Sequence, residues 1–141
     1  MQIIPYVNFR GSCREAMTAY AAILGTQPPE IFPFSALPEA DKAMLPPGVP
    51  EDAVMNAALR IGDAVALYGS DDVRPDAPVG AGFAVNVTVP APEEARRIYD
   101  ALAQGGTITM PLSETFWSPA FGMLEDRFGV AWMVMAEPVE G

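Results

Sequence analysis

Histidine is absent from all 141 residues, which removes at once the commonest general base near neutral pH and the commonest transition-metal ligand. Any chemistry then rests on carboxylates, tyrosine, lysine, the one cysteine or bound water. Cysteine occurs once, as Cys13, so no internal disulfide forms. Beside Arg14 at the start of a predicted helix, with no histidine to activate it, Cys13 reads as a small buried or boundary residue rather than a nucleophile. Cations are scarce too: eight Lys and Arg against 18 Asp and Glu leave a net charge of −10. Phosphate backbones and anionic membranes are held by clustered positive charge, so neither nucleic acid nor membrane is expected as a partner, and the acidic surface serves solubility. No apolar stretch approaches the roughly 18 residues needed to cross a bilayer. The N-terminal Met1-Gln2-Ile3-Ile4-Pro5 lacks the basic segment of a secretion signal, and a cytoplasmic location is expected. A glycine-rich strand-to-helix turn for a nucleotide-like cofactor is also missing; no cofactor is expected.

Half of the residues are apolar, enough for the core of one domain. A short pattern occurs twice, Glu15-Ala16-x-x-x-Tyr20 and Glu94-Ala95-x-x-x-Tyr99, 79 residues apart (94 minus 15). Arg60-Ile61-Gly62-Asp63-Ala64-Val65 is echoed by Arg127-Phe128-Gly129-Val130-Ala131-Trp132 at an offset of 67 (127 minus 60). Two copies of one module account for both echoes. The difference of offsets places an insertion of about twelve residues in the first copy, where Pro33, Pro38, Pro46, Pro47 and Pro50 crowd together. Prolines forbid a long helix or central strand there, so residues 33–52 read as a surface loop with one helical turn near Ala40–Met44.

The first module begins with a strand over residues 3–9. Ser12 and Glu15 are spaced as a capping box for the helix that follows, which carries Cys13, Ala16, Met17, Tyr20 and Leu24 on one face and stops at Gly25. Residues 54–61 and 64–69 form a hairpin over Gly62-Asp63, and residues 71–79 are a polar linker. The second module repeats the scheme with a strand at 83–89, a helix at 92–104 and strands at 107–112, 120–125 and 130–136. Each half is thus β-α-β-β-β. The modules span residues 1–72 and 79–141 and together make a single domain.

Several segments resemble one family throughout: Pro5-Tyr6-Val7-Asn8-Phe9 leading into Gly11-Ser12-Cys13-Arg14-Glu15-Ala16, then Ala103-Gln104-Gly105-Gly106, Met110-Pro111-Leu112-Ser113-Glu114-Thr115-Phe116-Trp117, Phe121-Gly122-Met123 and Asp126-Arg127-Phe128-Gly129-Val130-Ala131-Trp132-Met133. With the tandem modules, they make the chain similar to the vicinal oxygen chelate superfamily of glyoxalases, bleomycin-resistance proteins and dioxygenases, and within it to the PhnB-like branch. The resemblance implies an α+β fold in which tandem βαβββ modules form a cup-shaped mixed sheet with helices outside. Members with chemistry hold a divalent metal in the cup through the first and last strands of each module. Aligned to that pattern, Pro5 and Met133 take the outer ligand positions, and the offsets of 79 and 67 add Ala84 and Ala66. None of these is a ligand for a hard or borderline divalent ion, and neighbouring Asn8, Asn86 and Tyr68 do not make one. No metal site is expected.

The cup is expected to be lined by Pro5, Val7, Ala66, Ala84, Met133 and Met135, with Asn56, Tyr68 and Asn86 as its polar contacts, a lining suited to an apolar or aromatic small molecule. Asn56 either orients a ligand carbonyl or satisfies a strand kink. Asn8, just before the helix turn, reads as structural. Trp117 and Phe116, on a loop, line the mouth or dock a second subunit. Glu114 beside them is the one candidate general base; its alternative is a solvated loop acid. Asp126 reads as a turn residue bonding local backbone. Three functions remain open: a metal-free small-molecule binder acting as a homodimer, a metal-independent isomerase or lyase using Glu114 or Tyr68, and a structural dimer with a filled cup.

Overall fold

The computed structural model describes residues 2, 4–43, 45, 47–72, 83–115 and 117–138. The chain divides into two compact units, Met1–Val79 and Gly80–Gly141. Each carries one four-stranded mixed sheet with a long helix on one face, and the fold class is α+β.

In the first unit the order is β1 (Tyr6–Phe9), α1 (Cys13–Leu24), β2 (Glu30–Pro33), a 3₁₀ turn (Phe34–Ala36), the one-turn helix α2 (Glu39–Lys42), β3 (Val54–Ile61) and β4 (Ala64–Asp71). The sheet runs β1-β4-β3-β2, with β1 parallel to β4 and the other pairs antiparallel. In the second unit β5 (Val85–Val89), α3 (Pro92–Ala103), β6 (Thr107–Ser113), β7 (Phe121–Glu125) and β8 (Ala131–Ala136) follow, and the sheet runs β5-β8-β7-β6 with β5 parallel to β8. The same β-α-β-β-β connection with the same strand order appears twice, as the echoes in the sequence anticipate.

Each core lies between the long helix and one face of its sheet. Tyr20 and Met17 on α1 and Phe9, Leu59 and Leu67 on the strands are all buried. Gly69 lets the helix settle closely, since a Cβ there would stand 3.2 Å from Cys13 Sγ and from Phe9 Cε2. In the second unit Ile98, Tyr99 and Leu102 of α3 cover Leu124, Trp132 and Val134. Burial lowers the acidity of the Tyr99 phenol, Arg96 and Asp100 opposing one another beside it. The hydroxyl keeps its proton and donates it to the carbonyl of Met110 at 2.9 Å.

α1 is not started by the expected capping box: the Ser12 side chain makes no capping hydrogen bond. The acceptor comes instead from the far end of β4. Asp71 is 7 % exposed; its Oδ1 accepts the backbone N–H of Cys13 at 2.9 Å and its Oδ2 that of Val54 at 2.8 Å. One carboxylate thus ties the first turn of α1 to the starts and ends of two strands, and Asp71 belongs to the core rather than to a linker. Residues 73–79 of that linker lie outside the described residues. Asp126 plays a comparable part in the β7–β8 turn, where its carboxylate accepts the N–H groups of Phe128 and Val130 and the Trp132 indole N–H at 2.9–3.0 Å. Here the expected turn role is found, extended to a core tryptophan.

The insertion closes on itself at its base, Phe34 N–H donating to Ala53 O and Ser35 N–H to Glu51 O. It borders a half-open cavity of about 300 Å³ whose lining includes Phe34, Lys42, Leu45, Val49 and Pro50. Lys42 is paired to Glu39 at 3.2 Å.

Candidate functional site

Strand alternation divides each sheet into a helix-covered face and an open face. In β8, Trp132, Val134 and Ala136 are buried while Met133 and Met135 between them are half-buried. In β1, Val7 and Phe9 are buried while Tyr6 and Asn8 are exposed. Val7 therefore packs beneath α1, contrary to its expected place in the ligand-facing lining, because it pairs with Gly69 on the helix side. Its neighbours Tyr6 and Asn8 take the open face.

That shift matters because it brings polar and aromatic groups together on the first sheet. Tyr6 pairs with Tyr68, their ring centroids 5.9 Å apart at an interplanar angle of 31°. Asn56 on β3 donates from Nδ2 to the Tyr6 hydroxyl at 3.4 Å, a long bond. Ser70 donates to Asn8 Oδ1 at 3.0 Å. Phe32 of β2, partner of Asn56, extends the row. The open face thus presents two tilted phenol rings and an amide, with Tyr6 49 % exposed. Asn56 and Tyr68 lie on the open face of the first sheet, and Tyr6, which was not among the expected contacts, lies beside them; the apolar pair Val7 and Phe9 already marks it as facing away from the helix.

The remaining candidates lie in the second unit. Asn86 is on the open face of β5, its amide donating to Thr88 Oγ1 at 2.8 Å, and Met133 is its partner on β8. Ala84 precedes β5 and is exposed. Trp117, 41 % exposed, stands edge-on to Phe121 with centroids 5.3 Å apart. Glu114 is exposed just beyond the end of β6, in the setting of a solvated loop acid. Phe116 lies outside the described residues.

The equivalences between units also need correction. The last parallel pairs are Phe9 with Asp71 and Val89 with Ala136. The strand offsets are therefore 80 (89 minus 9) and 65 (136 minus 71), not 79 and 67. Pro5 corresponds to Val85 rather than Ala84, and Met133 to Tyr68 rather than Ala66. Three residues join β1 to α1 but two join β5 to α3, and a two-residue turn joins β3 to β4 where five residues join β7 to β8. Offsets read in helices and turns do not carry into strands.

With these geometries in hand, the comparison with known proteins is decisive. The family model for the Glyoxalase/Bleomycin resistance protein/Dioxygenase superfamily matches residues 2–134. The chain belongs to this superfamily. It is 35 % identical to Protein YjdN of Escherichia coli (strain K12), covering 95 % of this chain and 94 % of that one. Protein PA1353 from Pseudomonas aeruginosa is similar at 41 % identity with a TM-score of 0.83, covering 97 % and 98 % of the two chains. A PhnB protein from Bacillus cereus, described as a putative 3-demethylubiquinone-9 3-methyltransferase, is similar at 28 % identity and TM-score 0.74, covering 96 % and 99 %.

Superfamily members with chemistry imply a divalent metal, so the donor set must be tested against one. The corrected first-and-last-strand positions are Tyr6 and Tyr68 in one unit and Asn86 and Met133 in the other. Among the described residues no three of Cys, Asp and Glu gather as a ligand group. Neutral phenols, amides and thioethers do not hold Zn²⁺, Ni²⁺ or Mn²⁺ without an imidazole or carboxylate beside them. The residues present do not fit the group.

Proposed function

We propose that this chain binds a small apolar or aromatic molecule against the open face of its first sheet, without a divalent metal. The observation that carries this reading is the Tyr6–Tyr68 pair with Asn56 hydrogen-bonded to its rim. Tilted phenol rings offer a flat ligand a large, stiff apolar surface. The Asn56 amide and the two hydroxyls supply both donors and acceptors for one carbonyl or hydroxyl on that ligand. We read the site as one that sequesters its ligand rather than transforming it, as the resemblance to bleomycin-resistance proteins implies.

A homodimer is part of the same reading. β1 and β5 end their respective sheets, and Phe83, Ile108 and Trp117 are exposed; sheet edges and large apolar side chains favour a partner surface. Sedimentation at micromolar concentration is expected to give twice the chain mass of 15.0 kDa.

The test is displacement of Nile red from the full chain and from Tyr68→Ala and Asn56→Ala. The parent is expected to bind the dye saturably, Tyr68→Ala at least ~10-fold more weakly, as loss of one aromatic contact of more than ~1.4 kcal/mol requires. No saturable binding by the folded parent, or equal binding by Tyr68→Ala, contradicts the proposal.

A further inference from the structure

The open face of the second sheet carries an unusual row. Met110 on β6 is the direct partner of Met123 on β7, and Met123 is the direct partner of Met133 on β8. All three are half-buried. Met123 and Met133 share the open face: Trp132 and Val134 beside Met133 are buried in the α3 core, and a Cβ on Gly122 beside Met123 would strike Tyr99 of α3, while Met110 is set next to them by its register with Met123. The two register shifts that flank Met110 absorb extra residues of β6 and leave it opposite Met123. Met135, two residues along β8, lies on the same face.

The geometry points to a site for a soft monovalent cation, Cu(I) or its analogue Ag(I), held by the thioethers of Met110, Met123 and Met133. Directly paired residues on adjacent antiparallel strands have Cα atoms about 4.5–5.5 Å apart. Each methionine has three rotatable bonds, so the outer two sulfurs can lean over Met123 to meet the central one without backbone movement. Thioethers are soft, neutral donors that favour Cu(I) and bind hard or borderline divalent ions poorly. The same row that fails the divalent test therefore suits a monovalent one. Partial burial limits competition from water, and the net charge of −10 draws a cation toward the surface. A thioether has no proton to lose in the neutral range, so binding here is independent of pH, unlike binding to a thiol. This site lies wholly in the second unit and does not rest on the small-molecule reading.

The test uses the full chain labelled with ¹³C at its methionine methyls and titrated with Ag(I) in chloride-free buffer. One equivalent is expected to shift the Met110, Met123 and Met133 signals and to leave that of Met17, buried on the sheet-facing side of α1, in place. Anaerobic competition with a chromophoric Cu(I) chelator is expected to show at least tenfold weaker binding in Met123→Leu and in Met133→Leu, unchanged binding in Cys13→Ala, and equal affinity at pH 5.5 and 7.5. Leucine conserves the side-chain volume; melting curves verify folding, and the parent spectrum decides the matter if a variant fails to fold. The proposal is overturned by no binding at micromolar concentrations, by Ag(I) binding that leaves those three methyls unshifted, by retention in both leucine variants, or by loss in Cys13→Ala.

Discussion

Replacing Asp71 should damage this protein more than replacing any residue of the apparent helix cap. Both oxygens of its carboxylate accept backbone N–H groups, from Cys13 at 2.9 Å and Val54 at 2.8 Å, and both donor residues are fully buried. In Asp71→Ala the two donors lose their acceptors in a place that water does not readily reach. Each orphaned buried donor costs about 1–3 kcal/mol, so the substitution should cost about 2–6 kcal/mol in all. At roughly 3 °C per kcal/mol for a chain of this size, the melting temperature falls by about 6–18 °C. Asp71→Asn retains one acceptor oxygen but turns an NH₂ toward the other donor, and about half of that loss is expected. Ser12→Ala should change stability by less than about 0.5 kcal/mol, where a true capping serine would cost about 1 kcal/mol. Thermal melts followed by far-ultraviolet circular dichroism, with urea titrations to confirm the ranking, measure all three. A Ser12→Ala loss equal to or larger than that of Asp71→Ala would refute the reasoning.

Burial, with a smaller push from the Asp71 carboxylate against the pull of Arg14, raises the Cys13 thiol from 9.0 to about 12. In the native chain it should stay unreactive toward disulfide reagents at pH 8 and titrate stoichiometrically once unfolded; rapid native labelling would contradict this. Above pH 9 the unfolded thiol loses its proton and the folded one does not. The folded state then binds more protons, and stability falls as pH rises from 9 to 12, by up to about 1.4 kcal/mol per unit. Cys13→Ala should show a shallower decline over that range in pH-dependent urea titrations. Gly122→Ala should be severe, because its Cβ would stand 2.7 Å from Tyr99 Cε2 and 2.9 Å from Leu112 Cα. A loss of about 1–3 kcal/mol or more is expected in thermal melts, and an unchanged melting temperature would show that α3 packs less tightly on β7 than described.

The architecture was legible because its signals are periodic and local. Tyr20 and Tyr99, the repeated tyrosines, both prove to be buried helix residues over their sheets, and Gly62 and Gly129 both adopt the positive φ that their hairpin turns need. What failed was the transfer of those spacings into strands, where one extra residue in a connection reverses the face of every side chain. A slip of the same kind, in aligning Pro5 to the ligand-facing side, put Val7 there by parity and left Tyr6 out. The helix cap was misread for a different reason. Ser12 and Glu15 satisfy the local rule, but the acceptor that wins is Asp71, 58 residues from Cys13 in sequence, and no local pattern reports a contact of that range. The methionine row was hidden in the same way: Met110, Met123 and Met133 look scattered along the chain and meet only through strand register.

The central claim is that the open face of the first sheet takes a flat apolar molecule, and the four tyrosines of the chain allow it to be tested in one spectrum. Tyr6 and Tyr68 stand on that face, whereas Tyr20 and Tyr99 are helix residues buried against the opposite faces of their sheets. In protein carrying ¹³C-labelled tyrosine rings, titration with 1-naphthol should move the Tyr6 and Tyr68 signals together along one saturable curve and leave those of Tyr20 and Tyr99 fixed. Saturable binding that leaves Tyr6 and Tyr68 unmoved, or no binding at millimolar naphthol, would contradict it.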